Sequence, residues 1–130
     1  MAGATEVGVL DLTFTAENDL SAKQFYAVEL SAADQVDLCD GATDTVVGIL
    51  QNKPTAGQAA TVRVLGKTKW VCDGNAAAIV AGYWVGTDAS GQAVRKSTDK
   101  DKSAGIALRG STTAGDVIDV LLTPGCTLSV

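Results

Sequence analysis

The stretch "VGILQNKPTAGQAATVRVLG", Val47 to Gly66, returns later in the chain as "AGIALRGSTTAGDVIDVLLT", Ala104 to Thr123. Gly48-Ile49-Leu50 aligns with Gly105-Ile106-Ala107, and Thr55-Ala56-Gly57-Gln58 aligns with Thr113-Ala114-Gly115-Asp116. Each copy reads as a short strand entered through a glycine, a polar connection, an Ala-Gly-polar turn and a return strand, Val62 to Leu65 in one and Val117 to Leu122 in the other. The repetition predicts two related β units, about residues 47–66 and 104–123, that complete one core.

Outward from the repeat, period-two patterning continues. Tyr26, Val28 and Leu30 alternate with Phe25, Ala27 and Glu29, and Val36 and Leu38 flank Asp37. Turn signals separate these runs: "CDGATD", "NKPTAGQ", "CDGN", "TDASGQ", "STDKDKS" and "STTAGD". Their spacing, roughly 8 to 15 residues, is that of a small all-β sandwich or barrel. In "TDASGQ" the chain turns back on itself as a hairpin, with Gly91 placed for a positive φ. Gly48, Gly57, Gly82, Gly91, Gly105 and Gly115 are the expected structural turn glycines. Helix is confined to two candidates of at most two turns, Ser21 to Gln24 and Asn75 to Gly82, capped by Ser21 and stopped by Gly82. The expected organisation is an N-terminal arm or first strand over residues 1–19, followed by one β domain over residues 20–130.

Composition narrows the function classes. The 130 residues are 46% hydrophobic but only 5% aromatic, so Val, Leu, Ile and Ala must build the core. A domain of this size buries roughly two thirds of its unfolded surface and needs no disulfide or metal to fold. The net charge of -5 and pI near 4.5 argue against nucleic acid or an anionic membrane as partner. The charge-rich run Arg95 to Lys102 mixes signs and reads as a solvated turn. The start "MAGATEVGVLDLTF" lacks a basic region and a long apolar run, so neither a secretory signal nor a membrane span is expected. Cys39, Cys72 and Cys126 are widely spaced in a chain without histidine, a pattern that fits small buried side chains rather than a disulfide framework or zinc site.

No catalytic constellation emerges. Absence of histidine removes the Ser-His-Asp and Cys-His classes, and no Gly-x-Ser-x-Gly elbow or P-loop is present. Asp37, Asp40 and Asp44 crowd one turn, but their spacing is not that of a calcium loop. Lipoyl and biotinyl carriers present a lysine at a hairpin tip, and the tip Asp88 to Gly91 has none. No enzyme activity, cofactor or metal is expected.

The order "FYAVELS … VVGILQNKPTAGQAATVRVLGKTKWVCDGNAAAIVAGYWVGTDASGQAV … SAGIALRGSTTAGDVIDVLL" resembles small phage capsid decoration, or cement, proteins. It departs from their pattern at Cys72-Asp73-Gly74-Asn75 and at Tyr83-Trp84 after Gly82. The resemblance implies a compact β protein similar to the head decoration proteins of lambda-like phages. Such a protein is made in the host cytoplasm, binds the major capsid protein on the outside of the virion and is often a homotrimer with an N-terminal arm. A structural module of a head fibre or adhesin is the alternative.

Function then belongs to surfaces. Trp70 and Trp84 are costly to hide in a small aliphatic core and are candidates for a capsid or subunit contact. Val7 and Val9, then Leu10, Leu12 and Phe14, alternate about a one-residue slip, as a strand with a bulge does. That segment is either the first strand of the barrel or an arm that adds a strand to a neighbour.

Overall fold

The computed structural model describes residues 10–74 and 78–128, with backbone only at 124–126. These residues form β1 (Leu10–Ala16), β2 (Ala27–Ala32), β3 (Gln35–Leu38), β4 (Gly48–Leu50), β5 (Ala59–Val71), β6 (Trp84–Thr87), β7 (Ala93–Arg95), β8 (Lys102–Arg109) and β9 (Val117–Thr127). Their order across the sheet is β1-β3-β2-β4-β5-β9-β8-β6-β7, and β1 also pairs with β5. The second pairing closes β1, β3, β2, β4 and β5 into a five-stranded barrel, which removes its edges. The protein is all-β, a small closed barrel with further strands.

β5 belongs to both halves. Residues 59–65 pair with β1 and, through Val62 and Arg63, with β4, while residues 66–71 pair with β9. The handover falls at Gly66, whose φ of 101° lies in a region L side chains avoid.

The duplication extends well beyond the two stretches that reveal it. Ile49 faces Arg63 and Leu50 faces Val62; in the second half Ile106 faces Leu121 and Ala107 faces Val120. Likewise Ala27 and Val28 meet Ile49 and Gly48, as Trp84 and Val85 meet Ile106 and Gly105. Ala16 joins β3 in parallel at Val36, and Cys72 makes the corresponding parallel bridge to Ala93. Loops repeat too. Asp44 Oδ2 accepts hydrogen bonds from the amides of Asp40 and Gly41, and Asp101 Oδ2 accepts those of Ser97 and Thr98. Left-handed residues coincide at Phe25 and Gly82, at Asp34 and Gly91, and at Gly57 and Gly115. The first unit is therefore β1–β4 with residues 59–65. The second is residues 66–71 with β6–β9, about 57 positions later in each case.

Glycine placement explains why the repeat is legible at Gly48 and Gly105. A Cβ at Gly48 would strike the Arg63 carbonyl and Val62 Cγ1; at Gly105 it would strike the Leu121 carbonyl and Val120 Cγ1. Gly48 and Gly105, expected in turns, are instead strand glycines that let neighbouring backbones approach. Gly57, Gly82, Gly91 and Gly115 do take positive φ in turns.

The other differences have local causes. Neither helix forms among the described residues: Ser21–Phe25 is a pair of turns, and Ile79 bridges to Ser111 instead of coiling; residues 75–77 lie outside the description. Lys96, expected in a solvated turn, is buried, and its ammonium donates to the Ala42 carbonyl. That bond ties the second unit's loop to the first.

Two cores result. One fills the first barrel with Leu20, Val28, Val36, Leu50, Ala60 and Val62. The other gathers Trp70, Val85, Ile118 and Val120 of the second unit against Ala27, Cys39 and Ile49 on the outside of the first. The first unit's outer wall thus seals the second unit's interior.

Candidate interaction surface

At the N-terminal end, β1 is held by β5 from Leu10 to Thr15, with a register shift between Leu10 and Asp11, beside the expected slip. Leu10, Leu12 and Phe14 therefore sit on a barrel strand. Val7 and Val9 lie outside the described residues. Leu10 and Leu12 remain exposed, and Leu10 faces the equally exposed Leu65 across the ladder. Asp11 anchors the strand through a bidentate pair in which Arg63 Nε donates to Oδ1 at 2.8 Å and an Arg63 Nη donates to Oδ2 at 3.2 Å.

The tryptophans part company. Trp70 is fully buried, and its indole Nε1 donates to the Gly91 carbonyl at 3.0 Å. Contrary to expectation it contributes to no exposed surface, because its ring is packed in the seam between the two units and its one donor is satisfied within the second unit. Trp84 keeps 37% of its surface exposed on β6. Ladder pairing carries its row across β8 to Ile106 and on to Leu121 of β9, also exposed. Paired positions share a sheet face, so these side chains form an apolar stripe across three strands. Leu108 adds a further exposed apolar residue on β8. Arg95 stands at the margin with its guanidinium 4.0 Å from the centre of the Tyr83 ring.

Sequence spacing pointed to Asp37, Asp40 and Asp44, but folding selects a different set. Glu29 on β2, Cys39 and Asp44 bring one polar atom each within 4.8 Å of one another. Glu29 keeps its proton up to about pH 7, because it is hydrogen-bonded to Asp44, partly desolvated, and surrounded by the charges of Asp44, Asp40 and Asp37. Asp44 is lowered by that hydrogen bond, together with those from the backbone amides of Asp40 and Gly41. Burial pushes the Cys39 thiol far above its usual range, and Cys72 is raised for the same reason. The trio is thus a shared-proton carboxyl pair beside a protonated thiol. Glu29 was missed because only the β2–β3 ladder, with Glu29 opposite Asp37, brings it to the loop.

A duplicated β scaffold with exposed apolar surface suits a protein that works by binding. Its sequence matches the phage cement protein family over residues 4–122. The chain belongs to the phage cement protein family. Membership brings a structural, capsid-associated role in a phage virion. No curated protein matches the chain. Among solved structures it is similar to the N base of head fiber gp8.5 of bacteriophage phi29, with a TM-score of 0.65 and 14% identity. That alignment covers 89% of this chain and 95% of the phi29 chain, so the fiber base shares the fold.

Proposed function

We propose that this cement protein decorates the outer surface of the expanded phage head, where it bridges adjacent major capsid protein subunits as a homotrimer. The family match over residues 4–122 carries the reading. The fold supports it: a closed barrel shares β5 and a buried core with a second unit, and a packed body transmits load between contacts better than a flexible linker does. Contacts add interface area that internal DNA pressure must break before neighbouring subunits separate. Residues 1–9 act as the arm, entering from β1 beside the exposed Leu10, Leu12 and Leu65.

A second reading, the base of a head fibre, is favoured by the likeness to the phi29 fiber base. The two differ in copy number: a cement protein fills every equivalent site on the head, and a fibre base only the sites that bear fibres. Deleting residues 1–9 separates arm from scaffold, since it spares every described strand. Lost head binding with an unchanged melting curve supports the arm, whereas full binding by the truncated protein contradicts it. Bare heads should burst at a lower temperature than heads saturated with the protein; equal bursting temperatures would remove the stabilising role.

A further inference from the structure

The seam between the two units has two sides, and each side exists a second time, uncovered, at the opposite end of the chain. On the covering side, the second unit presents Thr68, Trp70 and Thr87, all fully buried. By position in the repeat these correspond to Leu12, Phe14 and Leu30 of the first unit. Leu12 is 42% exposed, Leu30 is 54% exposed, and Phe14 is only half-buried. On the receiving side, the first unit presents Ala27 and Ile49, also fully buried. Their counterparts in the second unit are Trp84 and Ile106 of the apolar stripe.

The uncovered copies are more apolar than the covered ones. Leucines stand where the seam has Thr68 and Thr87, and tryptophan where it has Ala27. Solvation alone favours the reverse, since a surface released from packing has no reason to gain large apolar side chains. Pairs across the seam also change together. Gln51 Nε2 donates to Thr68 Oγ1 at 2.8 Å; the corresponding positions are Leu108 and Leu12, both exposed. A polar pair in the seam is matched by an apolar pair outside it. A Cβ at Gly91, the tip of the covering hairpin, would touch Leu38 Cδ1. The corresponding positions are Asp34 and Arg95, both exposed and opposite in charge.

We infer that copies of this chain join head to tail by repeating their own internal seam. The Leu12, Phe14 and Leu30 end of one copy seats on the Trp84, Ile106 and Leu108 face of the next, with Asp34 reaching Arg95. The interface is heterologous, so it closes into a ring such as the trimer of the proposed function or continues as an open array. It rests on that reading only for the ring size, because the contact needs no capsid.

Sedimentation of the free full-length protein tests it. Wild type should associate as its concentration rises toward about 1 mM. Leu30→Glu, on one side, and Trp84→Glu, on the other, should each be monomeric with wild-type circular dichroism. Mixed in equal amounts, they should form a one-to-one dimer through their two intact surfaces and go no further. Asp34→Arg should weaken association, and adding Arg95→Asp should restore it. A wild type that stays monomeric, or a mixture that stays monomeric, overturns the inference. So does association lost on removal of residues 1–9 alone, which would make that segment the occupant of the stripe. Capsid pelleting of the Trp84→Glu variant is read separately: a monomer that still binds heads leaves the decoration reading intact.

Discussion

At the scale of single residues, the matched glycines offer the sharpest contrast. Gly48→Ala forces a methyl group into the Arg63 carbonyl and Val62, neither of which can yield without breaking the β4–β5 ladder. A loss of about 1–3 kcal/mol is expected from such overpacking, and the same from Gly105→Ala. Gly57→Ala meets nothing within 4 Å, so only its positive φ opposes it; the cost should be about 1 kcal/mol. Urea denaturation of the three variants checks the order. The Glu29–Asp44 pair sets a pH response. Glu29 titrates near 4.5 when unfolded and near 7 when folded. Between those values the folded state binds more protons, so stability falls as pH rises through that window. Asp44 contributes the opposite limb: its lowered pKa adds stability that is present above 3.8 and lost as pH falls through its folded value. Both groups keep contact with solvent, which keeps the limbs shallow. Denaturation midpoints from pH 4 to pH 8 should therefore decline toward pH 8, and Glu29→Gln should flatten that decline. The thiols of Cys39 and Cys72 are buried and held protonated. Neither should react with iodoacetamide at neutral pH until the protein is unfolded.

At the scale of elements, β5 is the member shared by both units, and Trp70 is the largest side chain of the core that the second unit builds against the first unit's outer wall. Trp70→Ala should cost about 3–5 kcal/mol, since it empties the largest fully buried side chain and removes the indole hydrogen bond to the Gly91 carbonyl, which keeps only the Ala27 amide. Trp70→Phe keeps most of the bulk and should cost less. Both variants should still unfold in one transition, because the first unit's wall is part of the second unit's core; separate transitions seen by calorimetry would show the seam to be weak. The elements were unevenly legible in the chain. β4–β5 and β8–β9 announced themselves because the glycine, turn and return strand face the same backbone constraints twice. The β1–β3 and β5–β7 copies did not, since their equivalence survives in register and in left-handed positions such as Phe25 and Gly82, not in side-chain type. Apolar alternation marked Leu10 to Phe14 as strand but not its partner β5, and put the slip one residue before the register shift between Leu10 and Asp11. Trp70 and Trp84 looked alike in sequence. Their fates differ because Trp70 occupies the side of the repeat that the first unit covers.

At the scale of the whole molecule, a duplicated body with unlike ends is suited to bridging: one end can engage while the other remains available. Of the candidate site, the sequence disclosed Trp84 and the β1 leucines but not the stripe to which Trp84 belongs, because Ile106 and Leu121 align with Trp84 only through the ladder. The family match fixes the virion as the setting, and in the proposed function the exposed apolar ends supply the means of contact. Co-sedimentation with expanded, undecorated phage heads tests this most directly. The protein should pellet with the heads and saturate at a fixed ratio to capsid subunits. Protein left in the supernatant at every concentration, with heads that remain intact, would contradict the account.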